Sequence, residues 1–201
     1  MFLYIALLLN LILIVLEVFV LSNIKDKTNI FKYYTFLQNF LACIISIVFV
    51  VYIFLIIFFD GIILEFVRGL RYIATCGLVS TMFIYVIFLS SNKKNHLNEE
   101  DFLNNFNYKK ANIILHYLCP IISLVSYVIL ERIIFITDSR WTIYAVIPSA
   151  AYWIIYLFFS LTNKWNEPYD FSSKNSFKEI FVIICIPILF VLISFVLWNI
   201  K

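Results

Sequence analysis

Polar side chains recur at helical spacing in two apolar stretches of this 201-residue chain. The first stretch contains the small or polar residues Thr35, Gln38, Asn39, Ala42, Cys43 and Ser46. The second contains Asn112, His116, Cys119, Ser123 and Ser126 or Tyr127. Steps of three and four residues place each set on one helix face, so the two faces can lie against each other. Such faces can hold a nucleophile and a base, or they can serve only for interhelical packing and hydrogen bonding.

His116 is the candidate for proton transfer. It is the only histidine inside an apolar stretch, because His96 lies in a charged segment. A neutral imidazole is tolerated at shallow membrane depth and accepts a proton at pH 7, as a general base must. The alternative is a histidine that is hydrogen-bonded to a neighbouring helix or to a lipid headgroup.

Thr35 is the candidate nucleophile. It lies at the start of its apolar stretch, where a hydroxyl ordinarily caps a helix. Unpaired amides and the helix dipole at that position would also stabilise an oxyanion. Gln38 and Asn39 lie on the same face, and Asn112 lies one turn before His116. These three amides are candidate oxyanion donors or orienting groups.

Two further features lie toward the same ends of the stretches. Glu17 is about one turn from the end of the first apolar stretch, and we expect its side chain to snorkel to water. Its alternative role is to orient His116, as a carboxylate orients a catalytic imidazole. A short polar loop contains Trp165, Pro168 and Tyr169, and it either covers such a site or forms an interfacial aromatic belt.

The composition predicts the elements that must position these residues. Of all residues, 64% are hydrophobic and 13% are charged, whereas soluble domains have about 25% charged residues. A chain of about 20 apolar residues crosses the hydrocarbon as a helix, and alternating strands of a barrel are not seen. The sequence predicts an all-α integral membrane protein, residues 1–201 forming one six-helix transmembrane bundle with short loops. The predicted spans are Phe2–Leu21, Tyr34–Phe59, Leu70–Leu89, Ala111–Leu130, Trp141–Leu161 and Phe177–Trp198.

The first span is expected to be retained. It lacks the basic region and the small-residue cleavage site of a signal peptide, and it contains Glu17. Cys43, Cys76, Cys119 and Cys185 all lie within spans and form no C-x-x-C pair, so they are interpreted as small packing residues.

Basic residues predict the orientation. Loops 22–33, 90–110 and 162–176, with their flanks, hold ten lysines, whereas the opposite side has Arg68, Arg71, Arg132, Arg140 and Lys201. The lysine-rich side is therefore expected to be cytoplasmic, with both termini outside. The net charge of +3 accordingly indicates topology rather than a nucleic-acid partner. The excess of Phe, Ile, Asn and Lys is typical of an AT-rich bacterial genome, which suggests a bacterial plasma membrane.

Several short segments resemble one known family. The segments 32–36 (Lys-Tyr-Tyr-Thr-Phe) and 112–116 (Asn-Ile-Ile-Leu-His), the latter followed by Pro120, are similar to motifs of the androgen-induced protein family, which includes the androgen-dependent regulator of tissue factor pathway inhibitor. Leu70-Arg71 and the loop 165–171 add to the likeness, which follows the helix order along nearly the whole chain.

The resemblance implies a six-helix membrane enzyme without metal or cofactor. Animal members of the family are threonine hydrolases that cleave fatty acid esters of hydroxy fatty acids. By this resemblance Thr35 is the nucleophile, His116 is the catalytic histidine, and the partner is a membrane lipid or fatty-acyl ester. Acyl transfer to another lipid stays open, because a related six-helix group transfers acyl chains. A non-enzymatic small transporter or channel, or a partner subunit embedded in lipid, also stays open.

Overall fold

Six helices account for nearly all of the described chain. The computed structural model describes residues 2–24, 33–59, 65–89, 108–131, 138–162 and 176–200. Helices α1 and α2 are Phe2–Ser22 and Tyr34–Phe59. Helix α3 is Glu65–Ile84 and continues as a π-helical turn, Tyr85–Leu89. Helix α4 consists of Tyr108–Ile113, a π-helical turn Ile114–Leu118, Cys119–Val125 and a second π-helical turn Ser126–Leu130. Helices α5 and α6 are Arg140–Leu161 and Ser176–Asn199.

The helices follow the predicted spans closely. Five of them are long and apolar enough to cross a membrane, and the apolar part found in α6 is the shorter segment Ile184–Asn199. The all-helical prediction is confirmed for the described residues, which contain no strand. The largest difference is in α3, which begins at Glu65 rather than at Leu70. Arg68 therefore lies in the helix rather than in the preceding loop, and Arg71, which the predicted span already contained, lies further inside the helix.

Helix α3 is the centre of the bundle. It contacts α2, α4, α5 and α6, while α1 packs against α2 and α4. Small residues along α3, such as Gly69, Ala74 and Gly77, allow this close approach, because a Cβ on either glycine would overlap a neighbouring side chain. The expectation that the stripes of α2 and α4 mainly face each other was therefore incomplete, since α3 packs against both.

The bundle buries polar residues and exposes apolar ones. In α1, Asn10 and Glu17 are fully buried, whereas Leu8, Val15 and Phe19 are exposed. The same distribution holds in α2, where Gln38 and Asn39 are inside and large aliphatic or aromatic residues cover the outer face. A water-soluble bundle has the opposite arrangement, so this surface suits an apolar solvent.

Pro120 explains the first π-helical turn of α4. Proline has no N–H and its ring clashes with the carbonyl four residues earlier, which here belongs to His116. The helix widens at this point, and the Cys119 N–H donates to the Ile114 carbonyl oxygen five residues back. The widened turn contains His116 itself, and such turns occur often at functional sites.

Close packing of α3 against α5 makes Gly69 sensitive to substitution. A Cβ at Gly69 would overlap the ring of Trp141, so we expect Gly69→Val to destabilise the fold by about 1–3 kcal/mol. Denaturant unfolding in detergent micelles measures this change. Ala151→Val on the exposed face of α5 is the matched control and should have little effect. Equal stability of the two variants would contradict the α3–α5 packing.

Candidate functional site

Two groups of polar side chains in the bundle interior bear on function and stability. We call the first the histidine layer, which consists of Thr35, Gln38, Tyr85, Asn112 and His116. We call the second the arginine layer, which consists of Asn10, Ser46, Arg71, Ser126 and Glu131. The histidine layer lies at the helix ends that lead into the lysine-rich loops, and the arginine layer lies toward the opposite end.

His116 is held by a ring contact in the histidine layer. Its imidazole is 2% exposed and stacks on Tyr85 of α3 at 4.1 Å between ring centroids, with 23° between the planes. Asn112, one turn earlier on α4, donates from Nδ2 to the Tyr85 hydroxyl at 2.6 Å. Tyr85 is thus held at its ring face and at its hydroxyl, and this restricts the orientation of His116.

Thr35 lies at an anchored helix start. The preceding residue, Tyr34, shares a hydrogen bond of 2.7 Å between its hydroxyl and Ser149 Oγ of α5. The Tyr34 ring also packs against Tyr152 and Phe190, with centroids 5.1 and 5.6 Å away. Because α5 and α6 thereby position the first turn of α2, Thr35 is placed by tertiary contacts as well as by its own helix.

The structure buries Thr35 and His116 at the same end of the bundle. Their chain neighbours Tyr34 and Leu115 belong to one packed apolar cluster, together with Tyr85 and other residues. Helix α2 also contacts the segment 114–118. The residues of each stripe lie on one largely buried helix face: Thr35, Gln38, Asn39, Ala42, Cys43 and Ser46 are buried, as are His116, Cys119, Ser123 and Ser126, while Asn112 and Tyr127 are half-buried.

The three candidate amides have different surroundings. Gln38 packs its side chain against Gly77 of α3. Asn39 donates from Nδ2 to the Thr35 carbonyl oxygen at 2.8 Å, and Asn112 is bonded to Tyr85. Asn112 therefore acts on His116 indirectly, because it holds the Tyr85 ring on which the imidazole stacks. The oxyanion roles of Gln38 and Asn39 remain predictions.

Two predictions at this end of the bundle have different outcomes. Glu17 is 0% exposed, so the expectation that it snorkels to water was wrong; α1 turns this residue toward the interior against α2 and α4. Its predicted role in orienting His116 stays a prediction. The loop residues Trp165, Pro168 and Tyr169 lie outside the described residues.

The arginine layer is centred on a buried ion pair that sequence analysis missed. Arg71 donates from Nη2 to Glu131 Oε1 at 3.1 Å and from Nε to Oε2 at 3.3 Å. Arg71 is fully buried and Glu131 is 8% exposed. Two parallel hydrogen bonds between a guanidinium and a carboxylate are the strongest arrangement of such a pair, and the two opposite charges cancel. Arg71 had been counted among the charges of the extracytoplasmic side, and burial removes it from that count.

Side chains from three helices complete the arginine layer. Ser126 donates to Glu131 Oε1 at 2.6 Å, and Asn10 Nδ2 reaches the same oxygen at 3.3 Å. Arg71 Nη1 donates to Ser46 Oγ at 3.4 Å, and its guanidinium lies 5.3 Å from the centre of the Phe49 ring. An arginine and an asparagine inside apolar runs were the sequence signals for this layer.

The thiols and the remaining acids do not form a metal site. In the ranges that the structure describes, no group of three or more His, Cys, Asp or Glu side chains is arranged to hold a metal ion. The four cysteines are free thiols, three of them buried. The histidine layer itself contains the hydroxyls of Thr35 and Tyr85, the imidazole of His116 and the amides of Gln38 and Asn112.

No protein-family model, curated protein or solved structure matches this chain.

The buried ion pair makes a strong prediction about stability. Glu131→Ala leaves the Arg71 charge buried without its partner, so we expect a loss of about 3–5 kcal/mol in the free energy of unfolding. The double variant Arg71→Met/Glu131→Leu should recover most of it, because it removes both charges. Unfolding in detergent followed by circular dichroism measures all three proteins. A double variant no more stable than Glu131→Ala would contradict this explanation.

The surface ion pair between Asp138 and Arg140 is the matched control. Arg140 donates from Nε to Asp138 Oδ2 at 2.7 Å, and these hydrogen bonds lower the pKa of Asp138. A lowered carboxyl pKa contributes stability above the ordinary pKa of aspartate, and that contribution is lost as the pH falls through the lowered value. Because water screens the pair, Asp138→Asn should change stability at neutral pH far less than Glu131→Ala.

Proposed function

We propose that this chain is an integral membrane enzyme that cleaves fatty-acyl esters, with Thr35 as the nucleophile and His116 as the base. The supporting observation is that both residues are buried at one end of a bundle whose outer surface is apolar. Substrates of this kind include fatty acid esters of hydroxy fatty acids, as the family resemblance implies.

The reaction would proceed in two steps. His116 accepts the proton of Thr35 Oγ1, which attacks the ester carbonyl carbon. The carbon–oxygen bond to the alcohol breaks, the alcohol leaves with the proton from His116, and an acyl-threonine remains. His116 then takes a proton from water, whose oxygen attacks the acyl carbon and releases the carboxylic acid and Thr35.

The start of α2 suits the charge that develops in this reaction. The first turn of an α-helix has N–H groups without intrahelical acceptors, and its dipole favours a negative charge. An ester carbonyl next to Thr35 would lie close to these groups, which are the proposed oxyanion donors. The second Nδ2 hydrogen of Asn39 is a further donor one turn deeper.

The depth of the histidine layer fits a lipid substrate. Thr35 is in the first turn of α2 and His116 lies about two turns into α4, near the lysine-rich loops. An ester at headgroup level reaches this depth while its acyl chains stay in the hydrocarbon. Water enters from the same side, and an alcohol entering in its place would make the reaction an acyl transfer between lipids.

Substitution of the two residues tests the proposal. We expect Thr35→Ala to abolish covalent labelling of the purified protein by a fluorophosphonate probe, because the acceptor oxygen is gone. His116→Ala should slow labelling and ester hydrolysis by about 10²–10⁴-fold, the usual contribution of a general base. Thr162→Ala and His96→Ala are matched controls of the same residue types and should keep wild-type rates. Normal labelling of Thr35→Ala would overturn the assignment of the nucleophile.

The bundle is also proposed to have its lysine-rich side in the cytoplasm of a bacterial cell. Without the buried Arg71, the opposite side retains Arg68, Arg132, Arg140 and Lys201 against ten lysines, which strengthens the bias. A reporter that is active only outside the plasma membrane should therefore be active when fused to the C-terminus. It should be inactive when inserted in the loop 90–107. The reverse pattern would invert the topology.

A small transporter or channel is the second candidate. The observation in its favour is that buried polar residues occur along the bundle axis from the arginine layer to the histidine layer. Solute flux in proteoliposomes that does not change in Thr35→Ala, together with no ester hydrolysis, would favour this class.

A further inference from the structure

Glu17 is a buried acidic residue that belongs to neither layer. It is 0% exposed, and among the described residues neither of its carboxylate oxygens accepts a hydrogen bond. The Cys43 thiol faces the carboxyl, but its geometry does not make a hydrogen bond and a thiol is a weak donor. An ionised carboxylate in this position would be buried in an apolar interior without compensation, which is strongly unfavourable.

Arg71, the cation that acts on Glu17 in the described part of the chain, is already paired with Glu131. The other titratable side chains that act on Glu17 include Cys43 of α2 and Cys119 of α4. The two thiols carry no positive charge. Arg71 Nη2 and Nε both donate to the Glu131 carboxylate, at 3.1 and 3.3 Å. The positive charge of Arg71 is therefore already balanced.

Asn39 provides a second unsatisfied acceptor at the same depth. Helices α1 and α2 pack against each other. Leu13 and Ala42 belong to one apolar cluster, and Val20 and Phe36 belong to another, so the two helices run antiparallel. Glu17 lies midway between Leu13 and Val20, and Asn39 lies midway between Phe36 and Ala42. The Asn39 Nδ2 group is bonded to Thr35, while its buried Oδ1 has no donor in the described part of the chain.

We propose that Glu17 is an intramembrane proton-binding site. One proton makes the carboxyl neutral and turns one of its oxygens into an O–H donor. We assign Asn39 Oδ1, the buried acceptor without a donor on the adjacent helix α2, as the partner of this O–H. A single proton thus removes the unpaired charge and supplies the missing donor.

This site would sit between the two polar layers. Acidic groups inside membrane proteins commonly carry protons between the two sides. The inference does not depend on ester hydrolysis, because it follows from the burial and charge of α1, α2 and α3.

Infrared spectroscopy tests the protonation directly. In the full-length protein reconstituted in lipid at neutral pH, we expect a carbonyl band of a protonated carboxylic acid. The band should be absent in Glu17→Gln and unchanged in Asp138→Asn, the exposed control. Absence of the band in the wild-type protein, or its persistence in Glu17→Gln, would overturn the proposal.

Stability against pH gives a second readout. Glutamine has the shape of a protonated glutamate, so the Glu17→Gln variant should fold. Its unfolding temperature at neutral pH should be equal to or above that of the wild type. The folded wild type would hold a proton that the unfolded carboxyl releases, so its stability should fall as the pH rises, more steeply than that of Glu17→Gln. Failure of Glu17→Gln to fold, or identical pH slopes, would contradict a neutral Glu17.

A titration with sodium ions distinguishes a proton at Glu17 from a bound metal cation. Replacing choline chloride by sodium chloride at constant ionic strength should leave the unfolding temperature unchanged, because a bound proton needs no metal ion. A rise in unfolding temperature with sodium that disappears in Glu17→Gln would show a cation site instead and would overturn the proposal.

Discussion

The ion pair between Arg71 and Glu131 is the interaction around which the bundle interior is organised. A guanidinium and a carboxylate removed from water are tolerable only if each satisfies the other and the remaining donors find partners. Here α3 supplies the arginine, the end of α4 supplies the carboxylate, and α1 and α2 supply Asn10 and Ser46. These contacts fix the positions of four helices relative to one another along the bundle axis. The apolar contacts along the bundle depend on this axial register.

Because the axial register of the helices is fixed, the remaining polar groups lie at defined positions along the bundle axis. Thr75 and Ser123 meet at 2.9 Å in the middle of the bundle, and Tyr85 meets His116 near the lysine-rich end. The arginine layer has its hydrogen bonds largely made and is suited to stability. The histidine layer contains an imidazole, a hydroxyl and the start of a helix, which are the groups that the proposed reaction uses. Glu17 lies between them and is satisfied by neither.

The environment of His116 shows how a local irregularity serves a site. Pro120 removes one helical hydrogen bond, and the turn before it widens. The widened turn contains His116, whose ring stacks on Tyr85. Asn112, one turn earlier, secures the Tyr85 hydroxyl. In the proposed enzyme, this arrangement would hold the base in place before a substrate arrives.

The sequence by itself determined the number, the type and nearly all the boundaries of the helices. Runs of about 20 apolar residues leave few alternatives when the backbone must satisfy its own hydrogen bonds in lipid. It also determined the inward faces of α2 and α4, because spacings of three and four residues specify a face. The start of α3 was harder to predict, since Arg68 lies in the first turn of the helix and in the sequence resembles a loop charge.

Only the tertiary structure decided which polar residues meet. The partner of Arg71 lies 60 positions away, and no periodicity encodes such a pairing. The same reason explains Glu17, for which snorkelling was expected from its distance to the helix end. A long acidic side chain reaches water only if its face of the helix points outward, and the packing of α1 against α2 and α4 turns it inward. Spacing along the chain specifies a helix face, whereas the neighbours of that face depend on how the helices pack.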